Sequence, residues 1–325
     1  MKLLKLVPDD TNIKFLKWRV PFFAVSLVLI LGSWAAVLIN GLNYGVDFAG
    51  GQEVRLTFPQ RAEAPVASLR ELVAGLGYGE PVVQEFGGPQ SVSIRVPLPK
   101  DAENTPGAAT AIGQKVIAAI ARQYPDVRTD GNDTVSGKVA GEFRDSAILA
   151  LLAAMAAVSL YIWIRFEWQF GVGAMIALVH DVSLTIGLFA LTQMEFSLPI
   201  VAAILAIIGY SLNDTIVVYD RIRENLKKFR KMPITELIDL SVNETLARTV
   251  MTSLTLLVAL IPLLIFGPPS LFGMVAAITF GLFVGTYSSI YMAGPLLVWL
   301  GVTSNSFVPS ESASDRQEKI ALGKG

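Results

Sequence analysis

The 325-residue sequence has no cysteine and a single histidine, His180. Without cysteine there are no disulfides, thiolate metal sites or cysteine nucleophiles in any compartment. With one histidine there is no multi-histidine metal site, and a Ser/His/Asp triad would have to use that one ring. Charge is also scarce: 16% of residues are charged, and 26 basic against 27 acidic side chains leave a net charge of −1. No bulk basic field exists to hold a nucleic acid. A G-x-x-x-x-G-K-[ST] loop is missing, and Gly75, Gly77 and Gly79 sit in a polar turn without dinucleotide context, so ATP hydrolysis is not expected. HExxH is missing too, and no cofactor is called for. What the chain has in quantity is apolar: 53% hydrophobic residues and a mean hydropathy of +0.54, the balance of a membrane protein.

A bilayer core of roughly 30 Å asks for about 20 apolar residues per helix. Uncharged runs extend from Val20 to Val46 and from Ser146 to Ile164. From Trp168 to Met194 the only acidic or basic residue besides His180 is Asp181, and from Phe196 to Tyr219 it is Asp214. From Thr249 to Ser310 there is none, but Gly267, Pro268, Pro269 and Ser270 break that stretch with a turn. Six helices are predicted, roughly 21–41, 146–164, 170–192, 198–219, 250–266 and 272–298. Lys2, Lys5, Lys14, Lys17 and Arg19 precede the first, as in a secretory signal. Its apolar stretch exceeds a signal core of about 7 to 15 residues and no clean small-x-small site follows, so it is read as a retained anchor.

Lys and Arg counts orient the spans. With both termini inside, 16 basic residues fall in the inner segments 1–20, 165, 220–248 and 301–325, and none in the short outer connections 193–197 and 267–270. The other ten lie in 43–145, which forms a domain outside. There, Val54, Leu56 and Phe58 alternate with polar residues as a strand, and 82–86, 92–96 and 127–135 have strand character. Residues 66–76 have helical spacing, and a second helix over 108–124 is opened by Thr105 and Pro106. The order βαββαβ suggests a small α+β, ferredoxin-like sandwich. Lys138 to Arg144 lead from it into the membrane.

The informative residues are the carboxylates inside the membrane. An aspartate at a span centre costs on the order of 3 kcal/mol, so it survives by pairing, protonating or facing water. Asp181 lies near mid-depth, beside His180 and with Thr185 one turn on. Asp214 lies in the inner half of the fourth helix, on a stripe with Tyr210, Ser211 and Arg221. Two readings stand for each: a proton-handling group, or a hydrogen bond to a neighbouring helix. His180 is either a proton relay, since imidazole titrates near neutrality, or a neutral core ring. Arg248 opens the fifth helix, with Thr252 and Thr255 on its stripe. It is either a snorkelling flank residue or, being in the same inner leaflet, a partner for Asp214. Gly281 and Gly285 form a GxxxG pattern suited to close helix packing. Lys227, Lys228, Arg230 and Lys231 serve as an orientation signal or touch anionic lipid.

Four blocks carry a resemblance. Gly45-Val46-Asp47-Phe48-Ala49-Gly50-Gly51 resembles the aspartate-phenylalanine-x-glycine-glycine signature of the SecD/SecF protein-export family. The stretch from Ala177 to Val182, with His180 and Asp181, resembles that family's third-helix motif. Gly209 to Arg221, around Asp214, resembles its fourth-helix motif. Asn243 to Thr249 followed by Thr252 and Ser253 resembles the block that opens its fifth helix. The resemblance implies half of an RND-type transporter: six transmembrane helices with a periplasmic domain inserted between helices 1 and 2. It implies a non-enzymatic subunit in a bacterial inner membrane, paired with SecD as a separate chain. The implied partners are the SecYEG translocon, YajC and YidC as further neighbours, and unfolded preproteins, drawn outward with the proton motive force. Asp214, Arg248, Asp181 and His180 are the implied proton pathway, while Asp47, Gly50 and Gly51 make the signature turn from helix to first strand. Two rival readings stand beside it. A proton-coupled RND-type exporter of small molecules or lipids would use the same half-fold, though usually with twelve helices per chain. An intramembrane aspartyl protease would use Asp181 and Asp214 as a dyad, but its G-x-G-D pattern is missing.

Overall fold

A backbone amide in hydrocarbon has no water to bond, so each apolar stretch closes its hydrogen bonds internally as a helix. The computed structural model describes residues 7–8, 11–97 and 108–303; the helix start read at Thr105 and Pro106 and the tail from 304 onward lie outside the described residues. A 3₁₀ turn (Phe15–Trp18) leads into α1 (Arg19–Asn40), followed by a short α2 (Val46–Ala49). The outer domain follows as β1 (Gly51–Thr57), α3 (Val66–Ala74), β2 (Val82–Glu85), β3 (Ser91–Val96), α4 (Ala108–Gln123) and β4 (Arg128–Val135). Then come α5 (Gly137–Arg165), α6 (Trp168–Thr192), α7 (Leu198–Lys228), α8 (Ile234–Phe266) and α9 (Pro269–Ser288). A π turn, Ser289–Ala293, joins α9 to α10 (Gly294–Trp299). Six helices among the described residues are long and apolar enough to cross a membrane.

Three helices run past their uncharged stretches. α5 starts at Gly137, α7 continues to Lys228 and α8 begins at Ile234. Counting uncharged residues detects the turns that sit in hydrocarbon, but a helix need not end where charge begins. At the end away from the sheet, the α7 and α8 extensions hold each other: Arg221, also paired with Glu224 on its own helix, reaches Glu244 of α8 at 2.7 Å, and Asn225 donates to Glu244 and to Ser241 Oγ. α6 and α7 form the centre, where more than half of each span is buried, whereas α1, α5 and α8 keep most of their apolar surface outward. α6 packs on α1, α5, α7 and α9, and α7 on α5, α6, α8 and α9. The Gly281 and Gly285 pattern serves the α7–α9 contact. A Cβ at Gly281 would stand 2.5 Å from Ile207, and one at Gly285 2.9 Å from Ser211.

The outer domain is the expected sandwich. Its antiparallel sheet has the order β2-β3-β1-β4. Side chains alternate across a strand, so Val54 and Leu56 of β1 and Val92, Ile94 and Val96 of β3 point one way. They pack on Leu69 and Val73 of α3 and on Val116 and Ile120 of α4. The opposite face carries Glu53, Arg55, Ser93 and Arg95. It is not a solvent face: Glu53 and Ser93 are fully buried, and this face meets the α6–α7 connection.

That connection is stitched to the segment leaving α1. Phe196 N donates to Asn43 O at 2.7 Å, and Gly45 N donates to Phe196 O at 2.9 Å. Asp47 Oδ2 accepts from Leu198 N at 2.8 Å, satisfying one of the free amides that open α7. Gly50 and Gly51 then turn the chain into β1 with φ of +71° and +124°. At Gly51 a Cβ would also lie 2.9 Å from Val96 O. Gly51→Ala should therefore cost about 1–3 kcal/mol, while Gly32→Ala, with nothing within 4 Å of its Cβ position, should cost nothing. Thermal unfolding of the detergent-purified chain, followed by circular dichroism, checks the contrast.

Candidate functional site

Inside an apolar helix a carboxylate must take its partners from neighbouring helices. Asp181 is fully buried on α6. Its Oδ2 accepts hydrogen bonds from Ser211 Oγ of α7 and, at 2.9 Å, from Ser288 Oγ of α9. Its Oδ1 lies 2.8 Å from Nδ1 of His180, which donates in the tautomer that carries its proton there. Burying the aspartate costs about 2.5–3.5 kcal/mol, and each hydrogen bond to a charged group returns about 1.5–3 kcal/mol. Three such bonds outweigh the cost, so the cluster ties the carboxyl of Asp181 to neighbouring helices.

The helices are shaped to bring those donors in. Ser211 approaches α9 where Gly285 has no side chain. Ser288 is the last residue before the π turn, a local irregularity that often marks a functional position. The His180 ring, fully buried, stacks at 5.8 Å on Tyr287, whose hydroxyl donates to Phe22 O at 2.9 Å and lies 2.8 Å from Ser26 Oγ of α1. His180 Nε2 is buried without a hydrogen-bond partner among the described residues.

Asp214 lies one turn beyond Ser211 on α7, on the same face by its three-residue spacing. It too is buried. Its Oδ1 accepts from Thr249 Oγ1 of α8 at 3.2 Å, while its Oδ2 is buried without a partner among the described residues. Arg248 is exposed and forms no ion pair with Asp214 among the described residues, although its charge is close enough to act on the carboxylate. Thr249, the next residue, faces Asp214 instead. Arg221 is committed to Glu224 and Glu244. Tyr210 OH lies 2.9 Å from Ser253 Oγ, itself 2.9 Å from Thr286 Oγ1, a second polar link across α7, α8 and α9. Thr252 and Thr255 bond their own helix backbone.

The structure thus brings His180 and Asp181 together, places Asp214 a turn further along α7, and leaves Arg248 at the rim. Sequence reasoning missed Ser288, Thr286 and Tyr287 as members of the site. Their signal was present: Thr286, Tyr287, Ser288 and Ser289 are four consecutive hydroxyl side chains in a stretch that is otherwise mostly apolar.

Six candidate spans among the described residues, a small α+β domain inserted after the first, and carboxylates held between helices define a multi-pass membrane protein. Residues 35–58 match the SecD/SecF GG motif, and residues 115–303 match the C-terminal model of the protein export membrane proteins SecD and SecF. The chain belongs to the SecD/SecF protein-export family, on its SecF branch. It is 43% identical to the protein translocase subunit SecF of Rhodobacter capsulatus, over 93% of both chains. With the same subunit of Cereibacter sphaeroides it shares 46% identity, over 92% of this chain and 93% of that one. The crystal structure of SecDF, a translocon-associated membrane protein from Thermus thermophilus, superposes with a TM-score of 0.79 at 34% identity, covering 90% of this chain. The chain spans 39% of that longer protein.

If the Asp181 cluster holds the bundle together, its members should differ in cost when removed. Ser211→Ala and Ser288→Ala should each destabilise by about 1–3 kcal/mol. Asp181→Leu, which leaves an imidazole and two hydroxyls without their acceptor, should cost about 3–5 kcal/mol. Unfolding midpoints in detergent that do not differ between Asp181→Leu and the parent would contradict this assignment.

Proposed function

We propose that this chain is an accessory subunit of protein translocation that works with SecD, as a separate chain, beside the SecYEG channel. It uses the proton motive force of a bacterial inner membrane to assist late-stage export of unfolded preproteins, with YajC and YidC as further neighbours. Family membership supports the partners. The 16 basic residues on the inner segments support a topology with 1–20 and 301–325 in the cytoplasm, 43–145 in the periplasm, and spans over 21–41 and 146–300.

The observation that carries proton coupling is Asp214 Oδ2, a carboxylate oxygen buried between spans with no donor on it among the described residues. A saturated carboxylate such as Asp181 suits a structural role. One with an open oxygen suits binding and release of a proton, and a cation at its rim, Arg248, limits the cost of the ionised form. A charge crossing about 100 mV supplies about 2.3 kcal/mol, a shift of roughly fiftyfold at 1.4 kcal/mol per decade. That is enough to reorient the outer domain but small beside the roughly 5–15 kcal/mol needed to unfold a substrate. The coupling is therefore a ratchet, in which the outer domain holds emerging unfolded chain and the gradient resets it through the joints at Gly50-Gly51 and at Lys138 to Arg144.

Asp214→Asn should leave association with SecD intact and abolish gradient-dependent stimulation of export in membrane vesicles. Arg248→Leu should reduce that stimulation further than Arg248→Lys, because ammonium keeps the charge while losing the guanidinium fork. Normal late-stage export by a well-expressed Asp214→Asn protein would overturn the reading.

A further inference from the structure

The joint between outer domain and bundle holds a second carboxyl group set, outside the membrane and unused by the site above. Glu53 lies fully buried on the polar face of the sheet. Its Oε1 accepts from Ser93 Oγ at 2.6 Å and its Oε2 pairs with Arg55 Nη2 at 2.6 Å. Facing it from the α6–α7 connection is Glu195, whose carboxyl lies close enough to that of Glu53 for the two to interact. Like charges at that range favour a proton bound to one of the two. Glu195 Oε2 is sealed from solvent and has no hydrogen-bond partner among the described residues. The pocket is tight because Gly45 forms its wall: a Cβ there would stand 2.5 Å from Glu195 Oε1.

The surrounding charges are Arg55 of β1 and Arg95 of β3, both acting on Glu195, with Asp133 of β4 behind Arg55 at 3.2 Å. Glu85 of β2 and Asp47 of α2 line the same crevice, which has a volume of about 740 Å³. Burial first, and then the Glu53 charge, push the Glu195 carboxyl up to about 7, against the pull of Arg95 and Arg55. Glu53 belongs to the outer domain and Glu195 to the membrane bundle, so a proton shared by the two is a bond between the two halves of the molecule. Around it the joint is held by polar contacts: Asn43 Nδ2 donates to Gln193 O at 2.7 Å and to Gln84 Oε1 at 2.9 Å, and Arg95 donates to Asn43 Oδ1.

We propose that Glu53 and Glu195 form a proton-binding latch: one proton held between them keeps the outer domain seated on the α6–α7 connection, and its loss lets the domain lift. In a lifted domain Glu195 meets water and returns toward its ordinary value of 4.5. The seated state then holds its proton more tightly than the lifted one. Seating is strongest below 4.5, weakens as pH rises from there to about 7, and levels off above. This inference does not need Asp214 to carry protons, and its test uses no gradient.

Spin labels at Lys115→Cys on α4 and Thr192→Cys at the outer end of α6, both exposed positions, report the seating distance in a chain with no native cysteine. With the full chain in lipid nanodiscs, pulsed dipolar EPR should show the ratio of seated to lifted molecules falling at least about tenfold between about pH 5 and pH 8. Glu195→Gln, neutral at every pH, should keep the low-pH distance throughout, and Glu85→Gln should follow the parent curve. Infrared titration of the parent gives a readout that no variant's folding can obscure: a protonated carboxyl band should disappear with a midpoint near 7. One unchanging distance in the parent, a pH response that survives in Glu195→Gln, or no such carboxyl band would each overturn the latch.

Discussion

A carboxylate with no water to solvate it, Asp181, is the constraint on which the membrane half depends. Its oxygens must be met by donors, and the donors sit on different helices: His180 beside it on α6, Ser211 on α7 and Ser288 on α9. Hydrophobic packing alone does not distinguish sharply among helix arrangements in lipid, where tails are as apolar as leucine. Fixed polar partners do. The bare backbone at Gly285 opposite Ser211 and the π turn directly after Ser288 follow from the need to bring α7 and α9 to one point on α6. Asp214, a turn away, inherits a fixed position with one oxygen bound to Thr249 and one left open.

The outer domain is attached by the same logic in a wetter setting. Its sheet uses one face for a conventional core of Val54, Leu56, Val92 and Ile94 against two helices. The other face turns charges toward the bundle, where Glu53, Arg55 and Arg95 surround Glu195. The connection between α6 and α7 is therefore shared. It positions the outer ends of the two central helices, which carry Asp181 and Asp214, and it forms the seat of the outer domain. Backbone pairing of Phe196 with Asn43 and Gly45, and the Asp47 cap on Leu198, make this a direct mechanical link. A tilt of α6 against α7 would be felt at the sheet without passing through the remaining helices.

Much of this was legible in the chain before folding was considered, and the limits have physical causes. Charge scarcity located the spans and picked out Asp181 and Asp214, because a lone carboxylate in hydrocarbon is costly enough to need a reason. Alternation in β1 and β3 showed the sandwich and its core. The same alternation did not reveal that the polar face carrying Glu53 and Arg55 is covered, since its burial depends on Glu195, which is distant in sequence. Ser211 was noted as a stripe neighbour, yet Ser288 was not, because serine in a membrane helix usually bonds its own backbone and nothing in the spacing shows which one turns to a partner. Arg248 was left as either a snorkelling flank residue or a partner facing Asp214. In the fold Thr249 holds that position, since one residue along a helix is a rotation of about 100° and hydropathy does not resolve it.

The single histidine gives direct access to the central interaction. In the chain labelled with ¹⁵N-histidine, every imidazole signal belongs to His180. Solid-state NMR in lipid should show Nδ1 protonated and hydrogen-bonded, shielded from exchange with water, and shifted when Asp181→Asn removes the carboxylate. A ring that exchanges freely with water and does not respond to Asp181→Asn would contradict an Asp181-centred bundle.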